Sequence, residues 1–254
     1  MKKFLLGTVA LLALGATANA ADLPARAYTK APPMAPVYSW TGFYLAGGGG
    51  YGMWNADTNS QTDPGGIVTS NSQRFGGRGY FGVVGGGFDY QFAPAWVAGV
   101  FADAQFGDIK GSISDPATVS FGSLKNETNW AVGGRLGYLV TPTVLSYVNA
   151  GYSNAEFSGG SYVSGGGALN GLGHRSFNRD GWFVGGGVEH SLNIFGFSAP
   201  GLFMKTEYRF AEYDRGIVPT IILPGGGPTG SAVSTKPYIQ TVSTQLVYRF
   251  NYGR

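Results

Sequence analysis

The stretch that decides the fold lies near the carboxyl end, at residues 238–250, YIQTVSTQLVYRF. Its apolar and polar side chains fall on opposite faces of a strand: Tyr238, Val242, Leu246, Tyr248 and Phe250 against Thr241, Ser243, Gln245 and Arg249. A period of two predicts a β-strand with one apolar and one polar wall. Because the strand ends on an aromatic residue close to the carboxyl terminus, we interpret it as the closing strand of a β-barrel, with Tyr248 and Phe250 as the barrel-assembly signal.

The amino end has the pattern of a secretory signal. Two lysines precede a short apolar run, and Ala-Asn-Ala at 18–20 provides a small-residue cleavage site. We therefore predict three regions: a signal peptide at 1–20, a proline-rich periplasmic linker at 21–38 and a β-barrel at 39–254. The alternative, an uncleaved anchor helix, is disfavoured because the apolar run is too short to cross a bilayer.

Composition excludes several classes of function. Of the 17 lysines and arginines, two fall in the signal, so 15 basic side chains face 14 acidic ones and the charge predicts no nucleic-acid partner. The absence of cysteine excludes a disulfide framework and a thiolate metal site. Glycine supplies 44 of the 254 residues, and charged residues only 12%, which is low for a soluble surface.

Segments of period two recur along the chain and are separated alternately by short and long connections. Short turns alternating with long loops are typical of outer-membrane barrels. We therefore predict an all-β fold, an eight-stranded antiparallel transmembrane up-and-down β-barrel with short periplasmic turns and four long extracellular loops, in the outer membrane. The predicted strands are 42–55, 79–92, 96–108, 126–140, 144–156, 179–192, 202–214 and 237–250, and the predicted long loops are 56–78, 109–125, 157–178 and 215–237.

A soluble barrel or sandwich also alternates, with its apolar face turned inward. The signal peptide, the terminal aromatic, the asymmetry of the connections and the aromatics at strand ends favour the membrane. In that arrangement the charged side chains of the strands point into the lumen. The predicted lumen charge network is Asp89, Asp103, Arg135, Glu189, Lys205, Glu207, Arg209 and Arg249.

Four acids and four bases make the predicted lumen neutral. An eight-stranded barrel is only wide enough for side chains to fill it, so we expect these charges to pair and close the lumen. The alternative is a narrow water path along which some of them stay hydrated. Mid-strand glycine clusters at 47–50, 85–87, 133–134 and 185–187 would make room for bulky neighbours.

The two histidines offer little chemistry. Neither has a second ligand at metal spacing, so we predict no metal and no cofactor. His174, expected in an exposed loop, is a candidate contact for a surface ligand such as haem, although an exposed loop histidine without a function is the favoured explanation. The candidate hydrolase set is His174-Arg175-Ser176 with either Glu156 or Asp180. Residues two apart in a loop fix no geometry, so we predict that the protein is not an enzyme.

Residues 37–44, VYSWTGFY, follow the proline-rich segment and lead into a glycine-rich strand. Together with GGRLGY at 133–138, GGGVE at 185–189, KTEY at 205–208 and LVYRF at 246–250, they resemble the alphaproteobacterial, rhizobial-type outer-membrane surface-antigen family of porin-like barrels, similar in plan to the OmpA membrane domain. The resemblance implies a role in envelope integrity and host contact, with porin or haem-binding activity in some relatives. The chain departs from the pattern by continuing four residues past Phe250.

The function expected from the sequence is therefore structural, with a closed lumen and a surface-interaction role. A narrow passive porin and a surface-loop protein that binds haem or a host ligand are the alternatives. The expected partners are outer-membrane lipid and lipopolysaccharide, the barrel-assembly machinery and host surface molecules, and we expect a monomer.

Overall fold

The computed structural model describes residues 39–115, 117–194 and 197–250. The predicted signal peptide, the linker and the tail after Phe250 lie outside these residues. Within them, no helix has the length and hydropathy that a membrane span requires. The described chain forms antiparallel strands with these bounds: Gly42–Thr62 (β1), Gln73–Ala93 (β2), Trp96–Asp115 (β3), Ser120–Thr141 (β4), Val144–Phe157 (β5), Gly160–Ser164 (β6), Leu169–His174 (β7), Phe177–Ile194 (β8), Phe197–Tyr213 (β9), Gly216–Ile222 (β10) and Gly227–Arg249 (β11).

Eight of these strands form a closed ring in the described part of the chain. Each pairs with the next in the order β1, β2, β3, β4, β5, β8, β9, β11, and β11 pairs back to β1. The closing ladder is long, running from Tyr44 opposite Arg249 to Thr62 opposite Ser231. The fold is therefore the antiparallel eight-stranded barrel that the alternation predicts, without an open edge.

The barrel continues well past the predicted strand ends. At the end away from the short turns, β6, β7 and β10 replace β5, β8 and β9 in the ring, since β4 pairs with β6, β6 with β7, β7 with β10 and β10 with β11. The predicted bounds of the four long loops are thus wrong, because strands continue through much of their length. The period of two simply persists there: Trp54, Ala56, Thr58 and Ser60 are all buried on the inner face of β1.

Two belts of outward aromatic pairs mark the part of the barrel that spans the membrane. Near the short turns the ring centroids of Phe43 and Phe88 lie 4.9 Å apart. Further up, those of Tyr51 and Tyr80 lie 5.0 Å apart. The stretch of β1 from Phe43 to Tyr51, with both belts included, is about nine residues long, which is the length that crosses a bilayer at a tilt.

Beyond the upper belt the outer face becomes charged. Exposed ion pairs join Asp57 to Arg74 at 2.8 Å and Glu212 to Lys236 at 2.6 Å, so this part of the wall lies in water. Because β1 is 21 residues long, roughly half of it stands outside the bilayer. We call this outer part, the segment of the ring that contains β6, β7 and β10, the distal barrel.

Lumen-facing glycines admit bulky side chains into the narrow interior. A Cβ on Gly87 would lie 2.6 Å from the Tyr44 hydroxyl oxygen and 2.4 Å from the Val100 carbonyl oxygen. A Cβ on Gly187 would lie 2.7 Å from the Tyr147 hydroxyl oxygen. All three distances are shorter than real Cβ contacts, so these two tyrosines can take this position only because the residue opposite each on the adjacent strand lacks a side chain.

Candidate functional site

The candidate site is the barrel interior, where charged side chains form two clusters. The lower cluster lies near the short turns and contains Asp89, Arg135, Glu189 and Arg249, supplied by β2, β4, β8 and β11. Arg135 Nε donates to Asp89 Oδ1 at 2.8 Å, and its Nη1 donates to Glu189 Oε2 at 3.2 Å. A second contact joins Arg135 Nη2 to Asp89 Oδ2.

Arg249 completes the lower cluster by contacting both acids. Its Nη1 lies 2.8 Å from Asp89 Oδ2, and its Nε donates to Glu189 Oε1 at 2.8 Å. The side chains of Asp89 and Glu189 are fully buried. Two acids and two bases therefore neutralise each other in a cross-barrel network, which is the arrangement that makes buried charges tolerable.

Trp40, which precedes β1, closes the interior beneath this cluster. It is 1% exposed, and its indole Nε1 donates to the carbonyl oxygen of Pro142 at 3.1 Å, in the β4–β5 turn. The Arg249 guanidinium lies 4.4 Å from the Trp40 ring centroid. The Trp40 ring is thus fixed to the β4–β5 turn and packs against the Arg249 cation of the lower cluster.

The upper cluster is built around Arg209 on β9. Its Nη1 and Nη2 donate to the two oxygens of Asp103 at 2.9 and 2.6 Å, and Nε donates to Glu207 Oε1 at 3.1 Å. The hydroxyl of Tyr147 and the amide of Asn149 donate to Glu207 Oε2 at 2.8 and 3.0 Å. This bidentate, fully bonded geometry is the strong form of a buried ion pair.

Lys205 is the exception among the predicted lumen charges. It is 6% exposed, yet it makes no ion pair within 4.0 Å of any described carboxylate. The register places it opposite Glu189 on β8 and Gln245 on β11. The structure therefore brings seven of the eight predicted charges into two networks and leaves Lys205 between them.

Little empty space remains beside the upper cluster. A cavity lined by Asp103, Asn129, Arg209 and Tyr213 has a volume of about 10 Å³, which is about the space for one water molecule. Above it, Ile109, Trp54 and Phe157 are each no more than 1% exposed and fill the lumen with apolar side chains. The interior is therefore packed with side chains above and below this cavity.

A polar layer crosses the distal barrel beyond this apolar layer. Asp115 is fully buried, and its carboxylate accepts hydrogen bonds from Ser60 at 2.7 Å, Thr220 at 2.9 Å and Ser231 at 3.0 Å. These donors come from β1, β10 and β11. One carboxylate therefore ties three strands of the distal barrel together without an ion pair within 4.0 Å among described residues.

The expectation that His174 lies in an exposed loop is wrong. It is the last residue of β7, is 3% exposed, and packs its ring 5.3 Å from that of Tyr162 inside the distal barrel. Neither imidazole nitrogen meets hydrogen-bond geometry with a described residue. Burial lowers the pKa of His174 below its ordinary value. A side chain in this position does not face a ligand outside the wall.

The candidate hydrolase set does not come together. His174 points inward, whereas Ser176 and Glu156 are exposed, and no hydrogen bond joins these described residues. Asp180 instead accepts hydrogen bonds from the Tyr152 hydroxyl and, at 2.8 Å, from Asn154. Among the described residues no group of three acidic or histidine side chains could hold a metal ion.

Tyr248 and Phe250, the proposed assembly signal, lie on the outer face near the short turns. They are about half exposed, with ring centroids 5.2 Å apart. The backbone N–H of Phe250 donates to the Phe43 carbonyl oxygen at 3.1 Å, so the aromatic end of β11 is held against β1. Their role in assembly stays a prediction.

Several lumen residues were not predicted from the sequence. Trp40 falls within the 37–44 motif but precedes the first strand, so no periodicity assigns it a face. Tyr44 and Tyr147 have the right inward register, and the pairing of each tyrosine with a glycine on the adjacent strand is the signal that could have found them. Asp115 lay in a predicted loop, although continuing the alternation of β3 past residue 108 would have placed it inside.

Comparison with known proteins agrees with this architecture. The family model described as an outer membrane protein β-barrel domain matches residues 7–250. The 31 kDa outer-membrane immunogenic protein of Brucella melitensis is 26% identical over 98% of this chain and 100% of its own length. The 22 kDa outer membrane protein of Rhizobium leguminosarum is 28% identical over 71% of this chain and 68% of its own length.

Among solved structures, the outer membrane protein OprG of Pseudomonas aeruginosa superposes with a TM-score of 0.53 at 10% identity, covering 82% of this chain and 97% of that one. At that identity the likeness concerns the fold alone. Taken with the closed ring and the two aromatic belts, the family model and the two relatives place the protein in the outer membrane. The chain belongs to the family of outer membrane proteins with a β-barrel domain.

Proposed function

We propose that the protein is a structural barrel of the outer membrane that does not conduct solutes and that carries a rigid extension above the bilayer for surface interactions. The observation that carries the proposal is the filled lumen. Two charge networks, the ring of Trp40 and the apolar layer at Trp54 occupy successive levels of the interior. Fixed side chains that bond one another across a barrel resist displacement by a passing ion.

The distal barrel supports the second half of the proposal. The β1–β11 ladder, which runs up to Thr62 opposite Ser231, and the buried Asp115 hold it as part of the barrel wall. A rigid extension presents its outer surface without the entropy loss that a flexible loop suffers on binding. Lipopolysaccharide and host surface molecules are the partners that this surface would meet, and the barrel would act as a monomer without a catalytic role.

A deletion strain of the source bacterium tests the proposal. We expect loss of the protein to raise sensitivity to detergent, because the envelope loses a structural component, and a plasmid copy to restore resistance. The rate at which a periplasmic β-lactamase hydrolyses an added chromogenic β-lactam should not fall in the deletion strain. A lower hydrolysis rate that the plasmid copy restores would favour the passive porin instead.

A further inference from the structure

The wall of the distal barrel contains a gap in its backbone hydrogen bonding. The β8–β9 ladder ends at Gly181 opposite Tyr213, followed by one bond from the N–H of Asp214 to Asp180. The β7–β10 ladder begins only at Gly173 opposite Ile221. Residues 174–180 and 215–220 are all described, and no backbone hydrogen bond joins the two stretches across the gap.

The sequence explains why the gap does not close. Pro219 has no N–H to donate, and the β10–β11 register shifts between Pro219 and Ile221. The contact across the gap is made by a side chain, since Arg179 Nη2 donates to the Ile217 carbonyl oxygen at 3.3 Å. Where two strands of a closed sheet lack backbone pairing, the side chains behind the unpaired stretch become accessible from outside.

A pocket of about 260 Å³, open on one side, lies at this gap. Residues 175–177 line one side and residues 217–219 with Ile221 the other, and the β10–β11 hairpin contributes Gly226 and Pro228. Phe177, Ile217 and Val218 make the lining largely apolar. The volume falls just below the roughly 300 to 1,000 Å³ of ordinary small-molecule sites, so it suits a short ligand.

Positive charge stands at the mouth of this apolar pocket. The guanidinium of Arg175 lines it, close enough to the hairpin that a Cβ on Gly226 would lie 2.8 Å from Nη2. Arg175 makes no ion pair within 4.0 Å of the described carboxylates. Arg179 stacks 4.5 Å from the Phe177 ring centroid, and its buried Nε lacks a hydrogen-bond partner.

The nearby acids do not neutralise these arginines. Asp180 of β8 bonds to Tyr152 and Asn154 of the adjacent β5, and Asp214 at the base of the gap forms no ion pair with either arginine. An apolar cleft with an unpaired guanidinium at its rim matches a ligand that has an alkyl body and one anionic end.

We propose that this pocket binds a short-chain amphipathic monocarboxylate, with the alkyl chain between Phe177 and Pro219 and the carboxylate on Arg175. The chain would occupy the lateral pocket and not the lumen. The binding is therefore independent of the closed-lumen function, and either could fail without the other.

Methyl NMR on the full-length protein in phosphatidylcholine nanodiscs tests the proposal. With isoleucine δ1 methyls labelled, sodium octanoate should shift Ile217 and Ile221 saturably and leave Ile109, deep in the lumen, unchanged. Hexanoate should bind about 16-fold more weakly, because each buried methylene changes Kd about fourfold. Octan-1-ol, which lacks the charge, should bind at least about fivefold more weakly than octanoate.

Arg175→Gln should weaken octanoate binding by a similar factor without affecting octan-1-ol. Arg78→Gln, which removes an exposed arginine of β2 that does not line the pocket, is the matched control and should bind as the wild type does. Shifts that grow linearly at all isoleucines would indicate partition into the bilayer only and would overturn the proposal. Equal affinity of the wild type and Arg175→Gln for octanoate would also overturn it.

Discussion

Arg135 is the residue whose removal tests the lower charge cluster most severely. It contacts Asp89 through two nitrogens and Glu189 through a third, and its side chain is 2% exposed. In Arg135→Met the two acids would share Arg249 alone, so one negative charge would be left buried and uncompensated. Breaking a buried pair in this way costs about 3–5 kcal/mol.

For a chain of this size each kcal/mol lowers the melting temperature by about 2–4 °C, so Arg135→Met should melt about 6–20 °C below the wild type. Two assays measure this shift: the temperature at which the folded barrel loses its characteristic mobility on a detergent gel, and the midpoint of the change in tryptophan fluorescence on heating. Arg78→Gln serves as the exposed control and should shift the midpoint by no more than about 2 °C.

A double-mutant cycle separates pairing from general damage. Asp89→Asn with Arg135→Met removes one charge of each sign and leaves the contact between Glu189 and Arg249, so its free-energy loss should be smaller than the sum of the two single losses by about 0.5–3 kcal/mol. An unchanged melting temperature in Arg135→Met, or strictly additive losses, would refute the claim that these charges hold the lumen together.

Three further changes test other levels of the interior. Trp40→Ala should lower the unfolding free energy by about 3–5 kcal/mol in urea titrations, because a fully buried indole is lost; a loss below about 1 kcal/mol would contradict its role as a plug. Gly87→Ala should lower it by about 1–3 kcal/mol because the new methyl meets Tyr44, whereas Gly165→Ala, with open space around it, should be neutral; equal effects would contradict the packing argument. His174 is buried with a lowered pKa, so on acidification the unfolded chain takes up a proton at this residue before the folded chain does. The stability that His174 contributes should therefore be full above about pH 6.5 and should fall as the pH drops below that value. The stability of His174→Phe should no longer show this fall with acid, whereas that of His190→Gln should still show it.

Alternation along the strands predicted which side chains point outward and which inward, because a strand has two faces and the lipid tolerates only apolar side chains on the face that it meets. Residues 238–250 illustrate this: each side chain assigned inward in that stretch is buried, and the outward ones are partly or fully exposed. The same rule placed Asp89 and Arg135 in the lumen from sequence alone. The face on which each of these two residues lies could be predicted because it depends only on the alternation of the neighbouring residues in the same strand.

Which charges meet could not be predicted, since pairing depends on strand register and on the shear of the closed ring. Asp103 and Arg209 are 106 residues apart in sequence and contact each other across the barrel, whereas Lys205, four residues from Arg209 on the same strand, makes no ion pair within 4.0 Å among described residues. The extent of the strands also escaped prediction. Polar stretches such as 56–62, ADTNSQT, look like loops, but small side chains such as Ala56, Thr58 and Ser60 are the ones that fit inside a narrow barrel.

The central claim is that the lumen is closed, and single-channel recording in planar lipid bilayers tests it most directly. Purified, refolded protein should give no steady current steps at either polarity, while a porin reconstituted in the same bilayers gives steps and shows that insertion can be detected. Reproducible steps of constant size from the wild-type protein would contradict the account, because the networks around Arg135 and Arg209 could not then be closing the barrel.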